Sequence, residues 1–309
     1  MDVQSNTWFV IINPAAGVGQ SLKIWSKLKP LLDEANIDFQ FAQTKHRGHA
    51  IELVKNIVRS GGSKILAIGG DGTANEVING LFLSGVDTSK IVFGLVSSGS
   101  GNDWVRTVGR HGSPAQIARS LKATDSVNYD VGVIRYASGD SHSKRYFLNI
   151  VGAGFDGAVV YKMHINGRSE SSRMIYWKAL IAAIFSYKST MVKLSVDGEH
   201  FSFNTLSLAI GIGKYNGGGM KQLPFADYND GKLDVTVISD MSKWKMIWNL
   251  PRLSNGNFTK LEQVKTFQGR EITLDGDSPI HVEADGEYLG SSPFNVSILP
   301  SAIQILKWK

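Results

Sequence analysis

Short apolar runs that end in glycine or polar turns alternate with longer amphipathic stretches over the first part of the chain. The run Thr7–Ile12 reads as a strand and ends in Asn13-Pro14-Ala15-Ala16-Gly17-Val18-Gly19, followed by a helical pattern to about Ala35. Asp38–Ala42 predicts a second strand, ending at Thr44. A basic turn, Lys45-His46-Arg47-Gly48, leads into a helix near 49–60. Ile65–Ile68 predicts a buried strand that breaks at Gly69-Gly70-Asp71-Gly72. A helix follows from Thr73, with Val77, Ile78 and Leu81 on one face. The fourth strand, Ile91–Val96, ends in Ser97-Ser98-Gly99-Ser100-Gly101-Asn102-Asp103, and a helix carrying Trp104 and Val105 comes next. This alternation to about residue 123 predicts an open, mostly parallel sheet with helices on both faces. Ligands of such sheets bind beyond the carboxyl ends of the strands, where all four polar turns lie.

After Val127 the pattern changes. Tyr129–Tyr136, Arg145–Val151, Val192–Val196, Phe201–Ile210, Lys232–Ile238 and Glu271–Leu274 read as strands. Asp-Gly pairs at 197–198, 275–276 and 285–286 are hairpin signals. Helical patterns interrupt only at about 171–187 and 242–252. The second half therefore predicts an antiparallel β domain, with the boundary near 125–135.

Composition narrows the picture little. The 309 residues are 42% hydrophobic and 19% charged, ordinary for a globular protein. The net charge of +6 and a pI near 9.3 favour acidic partners: nucleotide phosphates, anionic membrane surfaces or nucleic acid. The basic residues are dispersed and carry no nucleic-acid signature. The absence of cysteine excludes disulfides, thiolate catalysis and Cys-based zinc sites. The start of the chain lacks the basic and apolar regions of a signal peptide, and Met174–Tyr187 is shorter than the roughly 20 residues that cross a bilayer. A cytoplasmic protein that visits a membrane surface transiently is the expectation, with a homodimer as the default assembly.

The chemistry centres on Gly69–Asn75. Strand, glycine turn and helix start form a phosphate site: glycines let a ligand approach the backbone, and the first helical amides point at it. Thr73 and Glu76 also have capping-box spacing, which would explain both without a ligand. Other motifs fail. Gly99–Trp104 places Trp where a dinucleotide fingerprint needs its third glycine, and Gly211–Tyr215 lacks the Ser/Thr of a P-loop. His46 and His49 have no third metal ligand.

Taken together and in order, Asn13-Pro14-Ala15-Ala16-Gly17, Gly69-Gly70-Asp71-Gly72-Thr73 with Asn75-Glu76, and Gly99-Ser100-Gly101-Asn102-Asp103 resemble the catalytic domain of the diacylglycerol kinase and sphingosine kinase superfamily, in particular soluble bacterial lipid kinases. Gly217-Gly218-Gly219-Met220, Pro224–Asp227, Asp230–Asp234 and Asp285-Gly286-Glu287 extend the resemblance over nearly the whole chain. It implies a three-layer α/β nucleotide-binding domain (1–130), a β-sandwich lipid-substrate domain (131–298), and a last strand near 299–309 that returns to the first.

The resemblance also implies a kinase that uses ATP and Mg²⁺ to phosphorylate a lipid hydroxyl at a membrane surface. Matching positions assign nucleotide contacts to Asn13, Pro14, Ala15, Ala16, Gly17, Thr44, Gly69, Gly70, Asp71, Gly72, Thr73, Ala74, Asn75 and Ser100. They assign metal binding to Asp230 with the carbonyls of Asp227 and Lys232, and catalysis to Glu287 as general base and Asp71. These roles suit phosphoryl transfer, which needs held phosphates, charge neutralisation and an oriented nucleophile. Asp197-Gly198-Glu199 shows that the tripeptide around Glu287 also occurs as a plain turn. Arg168, Arg173 and Lys178 beside Met174, Trp177 and Leu180 suit either an interfacial helix or one packed on the β domain. Two competing functions remain: an NAD kinase-like enzyme, disfavoured by Gly99–Asp103 and Asp227–Asp234, and an inactive nucleotide- or phospholipid-binding regulator.

Overall fold

The computed structural model describes residues 6–99, 101–138, 141–165, 183–184 and 186–309. Ser100 and most of the apolar, basic stretch at 161–187 lie outside the described residues, including Arg168, Arg173, Met174, Trp177, Lys178 and Leu180. The chain divides into two compact units: Met1–Val131 with Ser301–Lys309, and Gly132–Pro300. No helix among the described residues is long and apolar enough to cross a membrane.

In the first unit, β1 (Trp8–Ile12), β2 (Phe39–Gln43), β3 (Lys64–Gly69) and β4 (Val92–Ser97) pair in parallel in the order β2-β1-β3-β4. Near-continuous apolar composition is what a parallel strand covered on both faces requires, and all five residues of β1 are buried. Trp8, Val10 and Ile12 face one layer, where they pack with Trp25, Leu28 and Leu32 of α1 (Gln20–Glu34) and Ile117, Ala118 and Leu121 of α5 (Pro114–Ala123). α2 (His49–Arg59) and α3 (Asp71–Leu83) pack closely against each other; a Cβ on Gly80 would meet Val54 and the backbone of Ile51. Gly69, Asp103 and the rest of α4 (Asp103–Val108) lie at the carboxyl end of the sheet.

The last strand of the chain, β15 (Phe294–Leu306), completes this unit. Gln304 and Ile305 pair in parallel with Val92 and Phe93 of β4. Thr88 Oγ1 donates to the Ala302 carbonyl at 2.7 Å, and Lys309 Nζ meets Asp125 at 2.6 Å.

The second unit is antiparallel. It contains β6 (Ser141–Phe147), which forms a hairpin with the end of β5 (Ser126–Ser138), then β7 (Ile150–Gly154) and α6 (Phe155–Ile165). There follow β8 (Thr190–Val196), β9 (Glu199–Gly211), β10 (Leu233–Ser239), α7 (Lys243–Leu253), β11 (Val264–Gly269), β12 (Glu271–Gly276), β13 (His281–Ala284) and β14 (Glu287–Ser291). β9 is shared. Residues 199–205 pair with β8, whereas 207–211 lie between β7 and β10, as in a sandwich whose strands change sheets.

Several local expectations change. Arg145–Val151 is two strands, because the amides of Leu148, Asn149 and Ile150 are taken by the Asp285 carboxylate at 2.9, 3.0 and 3.2 Å. Asp275-Gly276 is not a turn: both residues sit inside β12, paired with Lys193 and Val192. α6, β11, β13 and β14 were not anticipated by pattern. Their apolar stretches are short or interrupted by charge.

Candidate functional site

Within the first unit, the turns after β1, β3 and β4 meet backbone to backbone. Asn13 N–H donates to the Ile68 carbonyl at 2.9 Å, and Ser98 N–H donates to Gly69 at 2.8 Å. Gly17 has φ +60°, and a Cβ there would collide with the Ser98 carbonyl. A Cβ on Gly99 would lie 3.0 Å from Gly70 Cα. Asn13 Nδ2 donates to Thr73 Oγ1 at 2.9 Å, and Ala15 N–H donates back to Asn13 Oδ1 at 3.1 Å. Thr44 N–H donates to the Ile12 carbonyl at 2.9 Å, which places Thr44 at the same end of the sheet. The structure therefore gathers Asn13–Gly17, Thr44 and Gly69–Asn75 at one edge. Thr73, Ala74 and Asn75 are buried beneath the turn, while Gly72 is exposed.

The capping box does not form. Gly70 flanks α3 without a side-chain cap. Thr73 is held by Asn13, and Glu76 reaches the start of α2 instead, accepting from Gly48 N–H at 2.8 Å and Ala50 N–H at 3.2 Å. A carboxylate at the positive end of α2 is favourable. It ties the basic turn 45–48 to the glycine turn.

Asp71 is committed in a similar way. Oδ2 accepts from Asp103 N–H at 3.2 Å and Oδ1 from Trp104 N–H at 3.3 Å, so the carboxylate caps α4. Burial raises its pKa, and the backbone donors at Asp103, Trp104 and Asn102 oppose that rise. Asn102 Oδ1, in the same turn, is buried without a hydrogen-bond partner among the described residues. A buried unsatisfied acceptor costs about 1–3 kcal/mol, so a donor or cation belongs there.

Gly72 supplies a second sign of a ligand. A Cβ built on it meets nothing within 4 Å, and its φ does not require glycine. Alanine in a helix is favoured over glycine by up to about 1 kcal/mol, so the fold does not call for glycine at this position, whereas close approach of phosphate to backbone amides does. Gly72→Ala is expected to leave thermal stability equal or slightly raised while weakening nucleotide binding at least about tenfold, a change of about 1.4 kcal/mol. Calorimetric titration beside a melting curve checks both halves, and unchanged affinity would remove Gly72 from the site.

In the second unit, Asp285 and Gly286 (φ +48° and +81°) form the two-residue turn between β13 and β14. Glu287 is the first residue of β14 and is half-buried. The Asp197-Gly198-Glu199 turn has the same design, since Asp197 accepts from the amides of Arg270 and Glu271 at 2.8 Å, but Glu199 is exposed. Turn chemistry alone does not distinguish the two glutamates; their surroundings do.

Those surroundings were missed from sequence. Glu283, two strand positions before the turn, is 1% exposed. Its Oε2 accepts from Gly286 N–H at 2.7 Å and its Oε1 from Asn216 Nδ2 at 3.3 Å. Burial, then the charges of Asp156 and Asp285, push its pKa up to about 8 against the Gly286 and Asn216 hydrogen bonds. Asp156, at the start of α6, is also buried, and burial raises its pKa. It accepts from Ser207 Oγ at 2.6 Å and Gln222 Nε2 at 3.2 Å. Gly152 makes room for the pair, since a Cβ there would press on Glu283 and Asp156. Beside them, His281 stacks on Tyr161 with ring centroids 4.3 Å apart, and its Nδ1 is 3.0 Å from the Tyr288 hydroxyl. The available signal was an acid inside an apolar strand, His281-Val282-Glu283-Ala284, which is costly unless it is hydrogen-bonded.

A cavity of about 70 Å³ opens beside Asp156, Ser207 and Gln222. Apart from Asn249 its other walls are apolar, among them Phe155, Met246, Leu250 and Phe258. It is about half the size of a ~150 Å³ apolar cavity that takes up benzene, enough for a few methylenes.

The acidic loop before β10 closes on itself. Asp230 Oδ1 accepts from Lys232 N–H at 2.9 Å and Asp227 Oδ1 from Asn229 N–H at 3.3 Å. Asp234 is raised to about 6 by burial and then by the charges of Asp230 and Asp227, with Gln268 opposing. Among the described residues no three His, Asp or Glu side chains form a metal cluster. The set implied by the resemblance has one carboxylate and two carbonyls, and a cation there would relieve the mutual repulsion of these acids.

Comparisons with known proteins identify the family. A family model described as the Diacylglycerol kinase catalytic domain matches residues 7–134, and one described as the YegS C-terminal NAD kinase beta sandwich-like domain matches residues 149–307. The chain is 28% identical over 309 residues to a Bacillus subtilis (strain 168) protein named "Putative lipid kinase YtlR", covering 96% of this chain and 98% of that one. It is 26% identical over 301 residues to a diacylglycerol kinase of Mycobacterium tuberculosis (strain ATCC 25618 / H37Rv), covering 96% and 94%. A crystal structure from Bacillus anthracis str. Sterne superposes with a TM-score of 0.79 at 22% identity, covering 99% of this chain and 98% of that one, which shows a shared fold. With an α/β domain and a β-sandwich-like domain both matched in order, the chain belongs to the diacylglycerol kinase family of lipid kinases.

Proposed function

We propose that this protein transfers the γ-phosphate of ATP, with Mg²⁺, to the hydroxyl of a lipid such as diacylglycerol. The observation that carries the reading is the cradle in the first unit, where three glycine turns meet backbone to backbone at the start of α3 and Gly72 stays exposed. Backbone amides at such a helix start suit phosphate. Asn13–Gly17, Thr44, Gly69–Asn75 and Ser100 would bind the nucleotide. The apolar cavity with a polar end in the second unit supports an amphipathic acceptor.

Mg²⁺ would supply neutralisation of the phosphate charge. Asp71 would hold it directly or through water, while keeping α4 in place. Asp230, with the Asp227 and Lys232 carbonyls, would hold a second cation in the loop before β10. Glu287 would accept the proton of the lipid hydroxyl as it attacks. The clamps on its turn, Asp285 to the 148–150 amides and Glu283 to Gly286, hold the backbone from which that carboxylate projects.

The direct test is radiolabelled γ-phosphate transfer from ATP to a detergent-dispersed panel: diacylglycerol, monoacylglycerol, sphingosine, ceramide, phosphatidylglycerol and polyprenol, with NAD as control. Label in a lipid is the expected result. Label in NAD alone overturns the lipid assignment.

A further inference from the structure

Helix α7 presents two opposite faces, and among the described residues only one of them is covered. At 100° per residue, Met246, Leu250 and Leu253 fall on one side, and all three line the apolar cavity. Trp244 and Trp248, four residues apart, fall on the other side and are 70% and 81% exposed. Lys245 and Arg252 share that outer side by the same spacing, and the helix contains no acidic residue. The adjoining loop adds another apolar residue: Lys221 N–H donates to the Leu253 carbonyl, and Phe225, 64% exposed, follows on that loop.

Single exposed apolar residues need no explanation, but two adjacent tryptophans held out from a folded helix do. Tryptophan has an apolar body and a polar N–H, which suits the boundary between lipid headgroups and acyl chains. Lysine and arginine beside it add attraction to anionic headgroups. Protein interfaces enrich tryptophan and arginine but deplete lysine, and here Lys245 flanks the tryptophans on a helix that holds no acid. Charge complementarity therefore favours a membrane.

We propose that the outer face of α7, with Trp244, Trp248, Lys245 and Arg252, docks the protein on anionic phospholipid bilayers. The same helix thereby places its inner face, and the cavity that face lines, next to a source of lipid chains. The benefit to catalysis rests on the lipid-kinase reading; the docking does not.

The test uses the full chain and large unilamellar vesicles, either pure phosphatidylcholine or equimolar phosphatidylcholine and phosphatidylglycerol, read by co-sedimentation and tryptophan emission. Binding to the anionic vesicles with a blue-shifted emission, reduced by added salt, is expected. Trp244→Ala/Trp248→Ala should lower partitioning at least about tenfold, and Lys245→Gln/Arg252→Gln about fivefold for each charge. Melting temperatures should move little, since Trp244, Trp248 and Arg252 are exposed and Lys245 is only half-buried. Phosphorylation of a short-chain, monomerically dissolved acceptor should also be unchanged, so a failed kinase reading would leave the sedimentation result interpretable. Equal vesicle binding by wild type and the double tryptophan variant would overturn the proposal. So would a chain that ignores vesicles and self-associates through the tryptophans in sedimentation velocity.

Discussion

Replacing Glu287 by Gln is expected to lower kcat for lipid phosphorylation by about 10²–10⁴-fold, with KM for ATP nearly unchanged. Gln keeps the size and the hydrogen-bonding reach of the side chain but cannot take up a proton at neutral pH. Glu287 stands at the start of β14, outside the glycine cradle of the first unit, so nucleotide affinity should not change with it. The contrast is Glu199→Gln, the same change in the matching turn, which should leave turnover intact. Steady-state kinetics of the two variants separate a general base from turn chemistry. If both variants keep full activity, the proton goes elsewhere.

Glu283→Gln is expected to change the pH dependence of stability rather than the chemistry. The carboxyl titrates at 4.5 when unperturbed and at about 8 in the folded chain. Below pH 4.5 it is protonated in both states and its contribution is constant. Between these values the unfolded chain has released the proton while the folded chain keeps it. Folding then takes up a proton, and stability falls as pH rises, by at most about 1.4 kcal/mol per pH unit. The fall ends once pH passes about 8. Gln mimics the neutral acid, so between pH 5 and pH 8 the variant should gain on the order of 2–4 kcal/mol over wild type. A shallower slope should remain, because Asp156 is raised by burial in the same sense. Urea midpoints at the two pH values measure the difference. An identical slope in wild type and variant would show Glu283 charged in the fold.

What the sequence made legible follows from period and turn chemistry. β1, β3 and β4 announce themselves because a parallel strand covered on both faces is apolar throughout and must end in a turn. The glycine turns are equally visible, since Gly17 and Gly70 stand where the turns touch. The partners of polar side chains were not visible. Thr73 and Glu76 have capping spacing, yet tertiary contacts with Asn13 and with Gly48 took both. Asp71 looked free to hold a cation, and its α4 amides are 32 and 33 residues away. The Glu283–Asp156 pair joins a strand to a helix start 127 residues earlier through Asn216 and Gln222. No local pattern records such a network. The stretch at 161–187, which suits either an interfacial helix or one packed on the β domain, lies mostly outside the described residues; on α7, fold geometry rather than composition separates the covered side from the bare one.

The final strand gives the first unit an origin at both ends of the chain. During synthesis, residues through Val131 emerge while the segment that pairs with β4 is still untranslated. Until it arrives, β4 is an open edge with unmet backbone donors and acceptors, a template for wrong pairing. One of the three glycine turns follows the same strand. The nascent first unit therefore exposes that edge for as long as the second takes to be made, and residues 301–309 are the latch that closes it.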